Sequence, residues 1–427
     1  MKRSLTPVLL LTLHTLCFGQ DLSDHSRFGA TLWKYRTGGK IFSSPVLYRH
    51  LVLFGSEDQG LYALDATTGK MVWKFKTGGP VYGTPAISGD RLFFTCYDGK
   101  FYAVDAGSGR LQWTFQTQGE KRVGRKGLWG MKPVAGYMDD PFDFFLSTPA
   151  VDSDKGVVYF GSGDGHLYAL RMTDGKLQWQ FSTGGIIHTS PVLSGNTLYF
   201  GSWDRYLYAL DSRTGAEKWK FLTQEDTVIH LLEGIQASTL VYDGHVFFGA
   251  RDGYFYALDT ATGGLVWKYS ANNSWILTTA AAADHIVYTG TSDSYLMLGL
   301  DAATGKEIFR TTANGYLYSS PTMAGNTLYF GDFTGQLMAM DRLSGKIIDK
   351  FETPGRQKNA AVLLNNDKLD FAYMTKGMDI AEYATTVAGM NKLYTLGPIL
   401  SKPAVGKGVI YFGSGDGCLY AVRLLQP

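Results

Sequence analysis

Cysteine is scarce in this chain of 427 residues, which contains only three. Cys17 lies in an N-terminal leader, so Cys96 and Cys418 are the two thiols left for the folded protein. They belong to separate repeats of the chain, so we expect no disulfide bond and interpret both as small strand residues. The sequence also lacks a Cys-x-x-Cys-His segment, which excludes an attached c-type haem.

An excess of charge of one sign is also absent. The chain has 40 basic and 38 acidic residues, a formal net charge of +2. Loss of Lys2 and Arg3 with the leader takes this value to 0 (+2 − 2). A neutral protein has no bulk attraction for nucleic acid or for an anionic membrane surface. We therefore expect no nucleic-acid partner.

The leader, residues 1–19, has the pattern of a secretory signal peptide. A basic start is followed by an apolar segment from Val8 and by small residues before Gln20. The apolar segment is too short to span a bilayer. We predict a cleaved signal peptide and a periplasmic or secreted protein. An outer-membrane lipoprotein anchored through Cys17 is less favoured, since Leu16 stands where a small residue is expected.

One segment recurs eight times, at a period of about 40 residues that is typical of solenoids and propellers. Its clearest copies begin at Gly55 and Gly201 and read Gly-Ser-x-Asp-x-x-Leu-Tyr-Ala-Leu-Asp. A Thr-Gly turn and an aromatic run such as Trp73-Lys74-Phe75 follow. Branched and aromatic residues between Gly and Asp turns predict four short antiparallel strands per repeat. Radial repetition of such a unit is a β-propeller, so we predict an all-β fold.

The eighth repeat, residues 402–423, stops before its fourth strand. The missing strand is found at residues 31–39, which match residues 71–79 almost throughout. We therefore predict that the N-terminal strand completes blade 8 and closes an eight-bladed ring over residues 31–425. Closure removes exposed sheet edges. Two repeats depart at the tryptophan position, where Phe309 and Asp349 stand instead.

The long departures from the repeat all fall between blades, at residues 118–147, 222–236, 270–277 and 353–400. Strand order places every blade-to-blade connector on the same end of the ring as the turn between the second and third strands. Loops on a rigid scaffold commonly carry binding sites. We therefore predict that this end is the functional face.

Three tryptophans outside the repeat position, Trp129, Trp203 and Trp275, belong to loops of that face. Each could be a stacking platform or an anchor for a partner, or could fix its own loop in place. His188 and His230 lie in successive connectors and could share a metal ion or a proton relay. No third ligand has metal-like spacing, so a structural or hydrogen-bonding role is favoured and no metal site is predicted.

Lys126 belongs to a basic stretch that precedes the acidic run Asp139–Asp143. The two halves could neutralise each other, or the basic half could form a lip near the ring axis that holds an anionic group. Lys358 and Asn359, from the other large connector, could face the same space. Turns such as Gly163-Asp164-Gly165 recur in the blades and lack the ligand density of a calcium loop. We interpret them as turn chemistry.

The repeated Leu-Tyr-Ala-Leu-Asp-x-x-Thr-Gly-x-x-x-Trp segment resembles the repeat of the pyrroloquinoline quinone (PQQ) enzyme-like propellers over all eight blades. That family contains quinoprotein dehydrogenases, which bind PQQ and calcium at the ring centre. It also contains BamB, a non-catalytic propeller of outer-membrane β-barrel assembly. Inserts such as Lys126–Gly130, Asp140–Asp143 and Asn359–Ala361 resemble those of periplasmic PQQ-binding-like repeat proteins.

This chain departs from the dehydrogenases in two ways. It lacks their adjacent Cys-Cys pair, and we find no residues at positions that match their calcium ligands or catalytic residue. The resemblance therefore favours a BamB-like binding or assembly scaffold of the cell envelope. We expect a monomer that binds a protein partner or a small anionic ligand. No cofactor and no catalytic residue are expected. The alternative is a quinoprotein-like oxidoreductase or small-ligand binder that uses the axial cavity, and only this alternative calls for PQQ with calcium.

Overall fold

The computed structural model describes residues 26–225 and 233–425. Eight four-stranded antiparallel sheets form the blades of a β-propeller, which confirms the predicted fold. The leader with Cys17, and His230, lie outside the described residues. Among the residues that are described, Cys96 and Cys418 are both buried and free.

The strands of the first half of the chain are the closing strand β1, blades 1 to 4, and a hairpin, β10 and β11, between blades 2 and 3. Their bounds are β1 (Arg27–Arg36), β2 (Val46–Tyr48), β3 (Leu51–Ser56), β4 (Gly60–Asp65), β5 (Met71–Lys76), β6 (Ala86–Ser88), β7 (Arg91–Thr95), β8 (Lys100–Asp105), β9 (Leu111–Gln116), β10 (Gly124–Lys126), β11 (Tyr137–Asp139), β12 (Ala150–Asp152), β13 (Val157–Gly161), β14 (His166–Arg171), β15 (Leu177–Ser182), β16 (Val192–Ser194), β17 (Thr197–Gly201), β18 (Tyr206–Asp211) and β19 (Glu217–Leu222).

Blades 5 to 8 follow, with three helices between blades 7 and 8. Their bounds are β20 (Leu240–Tyr242), β21 (His245–Gly249), β22 (Tyr254–Asp259), β23 (Leu265–Ser270), β24 (Ala281–Ala283), β25 (Ile286–Gly290), β26 (Leu296–Asp301), β27 (Glu307–Thr312), β28 (Thr322–Ala324), β29 (Thr327–Gly331), β30 (Gln336–Asp341), β31 (Ile347–Glu352), α1 (Pro354–Leu363), α2 (Phe371–Met374), α3 (Tyr383–Tyr394), β32 (Ala404–Gly406), β33 (Val409–Gly413) and β34 (Cys418–Leu425).

In blades 1 to 5 the aspartate of the repeated turn joins the blade to the connector before it. In blade 1, Asp58 accepts a hydrogen bond from the Tyr62 hydroxyl at 2.5 Å and from the backbone N–H of Gly38 at 2.9 Å. Tyrosine–aspartate pairs of this kind recur in blades 2, 3, 4, 5 and 8. These carboxylates are occupied within the fold, which supports turn chemistry rather than calcium binding.

The tryptophan and glycine of the repeat form the contact between neighbouring blades. The Trp33 indole N–H donates to the carbonyl of Ala66 at 3.1 Å. Its ring covers Gly69, where a Cβ would lie 2.5 Å from a ring carbon and where φ is +69°. Only glycine meets both demands. The corresponding indole bond recurs at the other five repeat tryptophans.

The ring closes as the sequence predicts, because β1 pairs with β34 as the outer strand of blade 8. Trp33 lies opposite Ala421, just as Trp73 lies opposite Ala63 in blade 1. The strand register also confirms that two repeats have another residue at the tryptophan position. Phe309 and Asp349 lie opposite Gly299 and Ala339 at the tryptophan position, and the Asp349 carboxylate accepts the backbone N–H of Phe28 at 2.8 Å.

The two large connectors lie over one end of the ring and contact each other. The backbone N–H of Lys132 donates to Ala381 at 2.7 Å, and that of Tyr383 donates to Lys132 at 3.0 Å. Helices α1 to α3 were not predicted from the sequence. Within the described ranges, none of the helices has the length and apolarity needed to cross a membrane.

Candidate functional site

We use the name insert face for the end of the ring covered by residues 118–147, 233–236, 270–277 and 353–400. The opposite end, where the first-to-second and third-to-fourth strand turns lie, is the turn face. We use the name axial channel for the space along the ring axis between these two ends. At the insert face the channel is filled by the segment Asp139–Asp143, whose Phe142 ring is buried among Trp275, Tyr316 and Tyr318.

A buried ion pair holds this segment to blade 5. The Arg251 guanidinium lies 2.6 Å from the Asp140 carboxylate, and both side chains have no exposed area. Arg251 also donates to the Gln236 side-chain oxygen at 2.6 Å, and the Gln236 amide donates to the carbonyl of Phe142 at 3.1 Å. Burial raises the pKa of Asp140, while the charge of Arg251 opposes that rise. Loss of either partner would leave an uncompensated buried charge.

The three tryptophans singled out by the sequence converge around this ion pair. The Arg251 guanidinium lies 4.6 Å from the Trp203 ring centroid and 4.2 Å from that of Trp275. Trp129 lies 6.2 Å from Trp275, and both line a 220 Å³ cavity with Asp293. Cation–π contacts of a desolvated arginine stabilise the loops that supply the rings. The arrangement fixes these loops in place, and a binding role for the rings stays a prediction.

His188 holds the same insert to blade 4. Its two ring nitrogens lie 2.8 Å from the Asp143 carboxylate and 2.9 Å from that of Glu120, and its side chain is fully buried. Burial disfavours the charged imidazole, but the two carboxylates outweigh that effect and raise its pKa to about 10. His188 is therefore an imidazolium at neutral pH. Both nitrogens donate to carboxylates, so neither is free to bind a metal ion.

Glycine at position 163 allows this contact. The backbone N–H of Gly163 donates to Glu120 at 2.7 Å. A Cβ at position 163 would lie 2.3 Å from that carboxylate oxygen. The insert therefore passes directly over the blade 3 turn, and a larger residue there would displace it.

The acidic run pairs with the blades rather than with the basic half of its own connector. Glu120, Asp140 and Asp143 have buried side chains, bound to His188 and Arg251. The basic residues stay at the surface. Those with exposed side chains are Lys121, Arg122, Arg125, Lys126 and Lys132. Folding thus turns a connector of mixed charge into a basic surface.

Lys358 and Asn359 lie on α1 of the second insert. Lys358 is exposed, and the Asn359 amide donates to the carbonyl of Thr395, just after α3, at 2.9 Å. The structure thus gathers Trp129, Trp203, Trp275 and His188 around the Asp139–Asp143 segment. Lys126 belongs to the exposed hairpin of β10 and β11.

Sequence reasoning missed Arg251, Asp140 and Gln236 as site residues. The repeats themselves contain a signal for Arg251. The residue just before the turn aspartate differs from blade to blade, whereas the residues around it recur. That position is occupied in blades 1 to 8 by Glu57, Tyr97, Gly163, Trp203, Arg251, Ser292, Phe333 and Gly415, and in blade 7 the turn residue after it is Thr334 instead of an aspartate. Variation at one place in an otherwise repeated turn indicates contact with a structure that is not repeated.

Fold and site together define an eight-bladed propeller of PQQ-like repeats whose axial mouth is filled by its own connectors. The family model described as outer membrane protein assembly factor BamB matches residues 20–128, 122–272 and 251–426. The chain belongs to this family. None of the curated proteins matches the sequence.

Solved structures share the fold at low sequence identity. BamB from Moraxella catarrhalis has a TM-score of 0.65 at 16% identity, over 92% of this chain and 99% of that chain. The computationally designed Ika8 protein has a TM-score of 0.66 at 15% identity, over 92% and 100%. Quinohemoprotein alcohol dehydrogenase from Comamonas testosteroni has a TM-score of 0.66 at 13% identity, over 92% and 76%.

The residues at the insert-face mouth do not fit PQQ and calcium. Phe142 and Phe144 occupy the axis there, with Phe144 centred 4.9 Å from Phe42. In the part of the chain that the structure describes, no three His, Cys, Asp or Glu side chains gather as metal ligands. Asp140 and Asp143, the two buried acids of the axial segment, already face Arg251 and His188. We derive no chemical step through these cofactors.

Proposed function

We propose that this chain is a non-enzymatic scaffold of the bacterial cell envelope that binds a protein partner through its insert face during outer-membrane protein assembly. The family described as outer membrane protein assembly factor supplies the biological setting. The signal-peptide pattern of residues 1–19 supports export to that compartment.

The observation that carries this proposal is the placement of exposed apolar side chains. Among the described residues, four large apolar side chains are more than 60% exposed, and all lie on the two inserts. They are Val134 at 65%, Tyr137 at 62%, Val362 at 73% and Ile380 at 70%. Apolar patches bordered by polar residues mark protein-binding surfaces.

The charge around this surface indicates the chemistry of the partner. Arg125 and Lys126 lie on β10, which pairs with the strand of Tyr137, and Lys132 is two residues before Val134 in the chain. Their acidic neighbours in the sequence, Asp140 and Asp143, are buried and paired. A partner segment with apolar and acidic side chains complements this surface, since opposite charges steer encounter and fix orientation.

The inserts are held rigidly, which favours binding. The Asp140–Arg251 pair and the Glu120–His188–Asp143 contacts connect the first insert to two blades. The second insert contacts the first through Lys132 and the Ala381–Tyr383 segment. A surface ordered before binding loses less conformational entropy when the partner docks.

A paired comparison of variants tests the proposal. Tyr137→Ser with Ile380→Ser removes apolar surface from the insert face, whereas Leu111→Ser with Leu177→Ser removes it from outer strands, where these leucines are 47% and 46% exposed. We expect both proteins to fold with similar melting temperatures. Only the insert-face variant should lower the level of assembled outer-membrane proteins in cells that depend on it. Equal assembly with both variants would refute the proposal.

The alternative predicted from the sequence is a quinoprotein-like oxidoreductase. Purified protein supplied with PQQ, calcium and an alcohol or sugar should fail to reduce an artificial dye, because the insert-face mouth is filled by Phe142 and Phe144. Sustained dye reduction that depends on both additions would support the alternative instead.

A further inference from the structure

Each blade places one residue on the axial channel two positions before its inner strand begins. In seven blades this residue carries a hydroxyl, and in blade 8 it is Lys402. All eight residues line one cavity of about 390 Å³. The hydroxyl-bearing members, called here the hydroxyl ring, are Ser44, Thr84, Thr148, Ser190, Ser238, Thr279 and Ser320.

The hydroxyl ring is oriented by the backbone. Five of its oxygens accept the backbone N–H of the corresponding residue in the preceding blade, over 2.8–3.2 Å. For example, the N–H of Ser190 donates to the Ser238 oxygen at 2.8 Å. Within the described residues, none of the seven hydroxyls donates to a protein acceptor. Because a hydroxyl that accepts one bond still carries its own proton, the ring supplies donors to the channel.

Lys402 adds a positive charge without an acidic partner. Its side chain is accessible from the channel, and no carboxylate in the described part of the chain pairs with its ammonium group. Enclosure by the channel wall lowers its pKa, and no carboxylate acts to raise it. The backbone N–H of Lys402 donates to the Ser44 hydroxyl at 2.9 Å, which places the residue within the ring.

The other titratable residues of the lining do not cancel this charge. The cavity wall contains no Asp or Glu among the residues that the structure describes. His188 also lines the cavity, but its charge is already offset by Asp143 and Glu120, which bind its two ring nitrogens. Tyr82 and Tyr318 stay neutral because burial raises the pKa of each phenol. The cavity therefore offers donors and positive charge without a competing acid.

The cavity is closed towards the insert face by apolar side chains that are buried. They are Phe42, Leu146, Leu277, Tyr318 and Leu400. The ring hydroxyls beyond them are only half-buried. A ligand would therefore enter from the turn face, on the side away from the protein-binding surface proposed above.

We propose that the axial cavity binds a small oxyanion, a phosphate or carboxylate group, held by the Lys402 ammonium and by hydroxyls of the ring. Charge-assisted hydrogen bonds to an anion are among the stronger polar contacts that proteins form. The anion would bind away from the exposed apolar side chains of the insert face, so failure of this site would leave the proposed scaffold function unaffected.

Isothermal titration calorimetry on the whole mature chain, at pH 7 and low salt, tests this site with two probes. Inorganic phosphate and citrate represent the phosphate and carboxylate forms of the ligand. We expect one binding event per chain with at least one of them. Lys402→Met should weaken it by about tenfold or more, as expected for loss of a charged hydrogen-bond donor. The matched control, Lys176→Met, removes the same charge from an exposed turn of the turn face and should bind like the parent.

A second measurement guards against a folding defect in the Lys402→Met variant. In the parent protein, the Lys402 pKa measured by NMR of labelled lysine should rise when the bound probe is added, because a nearby anion favours the charged amine. Absence of heat and of any Lys402 shift with both probes at millimolar concentration would overturn the proposal. Undiminished binding by a folded Lys402→Met variant would overturn it equally.

Discussion

The two ends of the axial channel use charge in opposite ways. At the insert face, Arg251 and His188 are fully buried and each faces a carboxylate supplied by the insert. At the turn-face side, Lys402 lines an accessible cavity in which none of the described lining residues is an acid. Paired buried charges fix a structure in place, whereas a lone accessible charge is available to a ligand. One end of this propeller is therefore built around its own inserts and the other is left open.

The axial channel has two distinct ends only because the ring is closed. Opening the ring is therefore expected to cause the largest loss of stability. Deletion of residues 27–36 removes β1, and with it the packing of Trp33 on Tyr411, of Phe28 on Tyr329 and of Tyr35 on Tyr62. Burial of three aromatic side chains contributes about 5 kcal/mol, and the exposed edge of β34 adds a risk of aggregation. Chemical denaturation should show a loss of that size or failure to fold. The double variant Leu32→Ala and Lys34→Ala keeps the strand and should change stability little. A deletion as stable as the parent would disprove closure by β1.

A second prediction contrasts ion pairs at the two ends. Arg251→Met leaves Asp140 buried without its cation and should cost about 3–5 kcal/mol of unfolding free energy. Arg171→Met breaks the exposed pair with Asp174, 2.7 Å apart on the turn face, and should leave the free energy of unfolding nearly unchanged, because water screens exposed charges. Urea denaturation of both variants measures the difference. Equal losses would show that the insert is not anchored through Arg251.

A third prediction concerns alkaline pH. The folded-state pKa of His188 is about 10, above its ordinary value of 6.5. Its stabilising contribution is therefore fully present below pH 6.5, falls as the pH rises, and is lost above about pH 10. We expect a loss on the order of 5 kcal/mol across this range. Because other groups titrate at high pH, the measurement compares the parent with His188→Gln. The parent should show the steeper decline, and parallel curves would exclude an imidazolium at this position.

The sequence predicted the parts of the molecule that repeat. The four-stranded blades and the unusual positions of Phe309 and Asp349 follow from a pattern that occurs eight times. The same pattern predicted the donated strand at residues 31–39, and the structure has it as β1 at Arg27–Arg36. Repetition lets weak local preferences reinforce one another. A single strand of this length would have been ambiguous on its own.

The inserts could not be predicted in the same way. Helices α1 to α3 occur once, and the helix from Tyr383 carries small and polar residues that a loop also contains. Asp140 and Arg251 are far apart in the chain, so their pairing depends on how the insert crosses the ring. Comparison of the repeats with one another would have singled out Arg251 and Lys402, each of which stands where the other blades carry a different type of residue.

The most direct test of the insert face as the protein-binding surface uses a photo-activatable amino acid, placed at single positions of both faces in cells. Tyr137 and Ile380 sample the insert face, and Asp174 and Leu177 sample the turn face and the adjoining outer strand. If the insert face binds the partner, both insert-face positions should cross-link to the same protein and the other two should not. Cross-linking confined to Asp174 and Leu177, or spread equally over all four positions, would contradict the assignment of the insert face as the protein-binding surface.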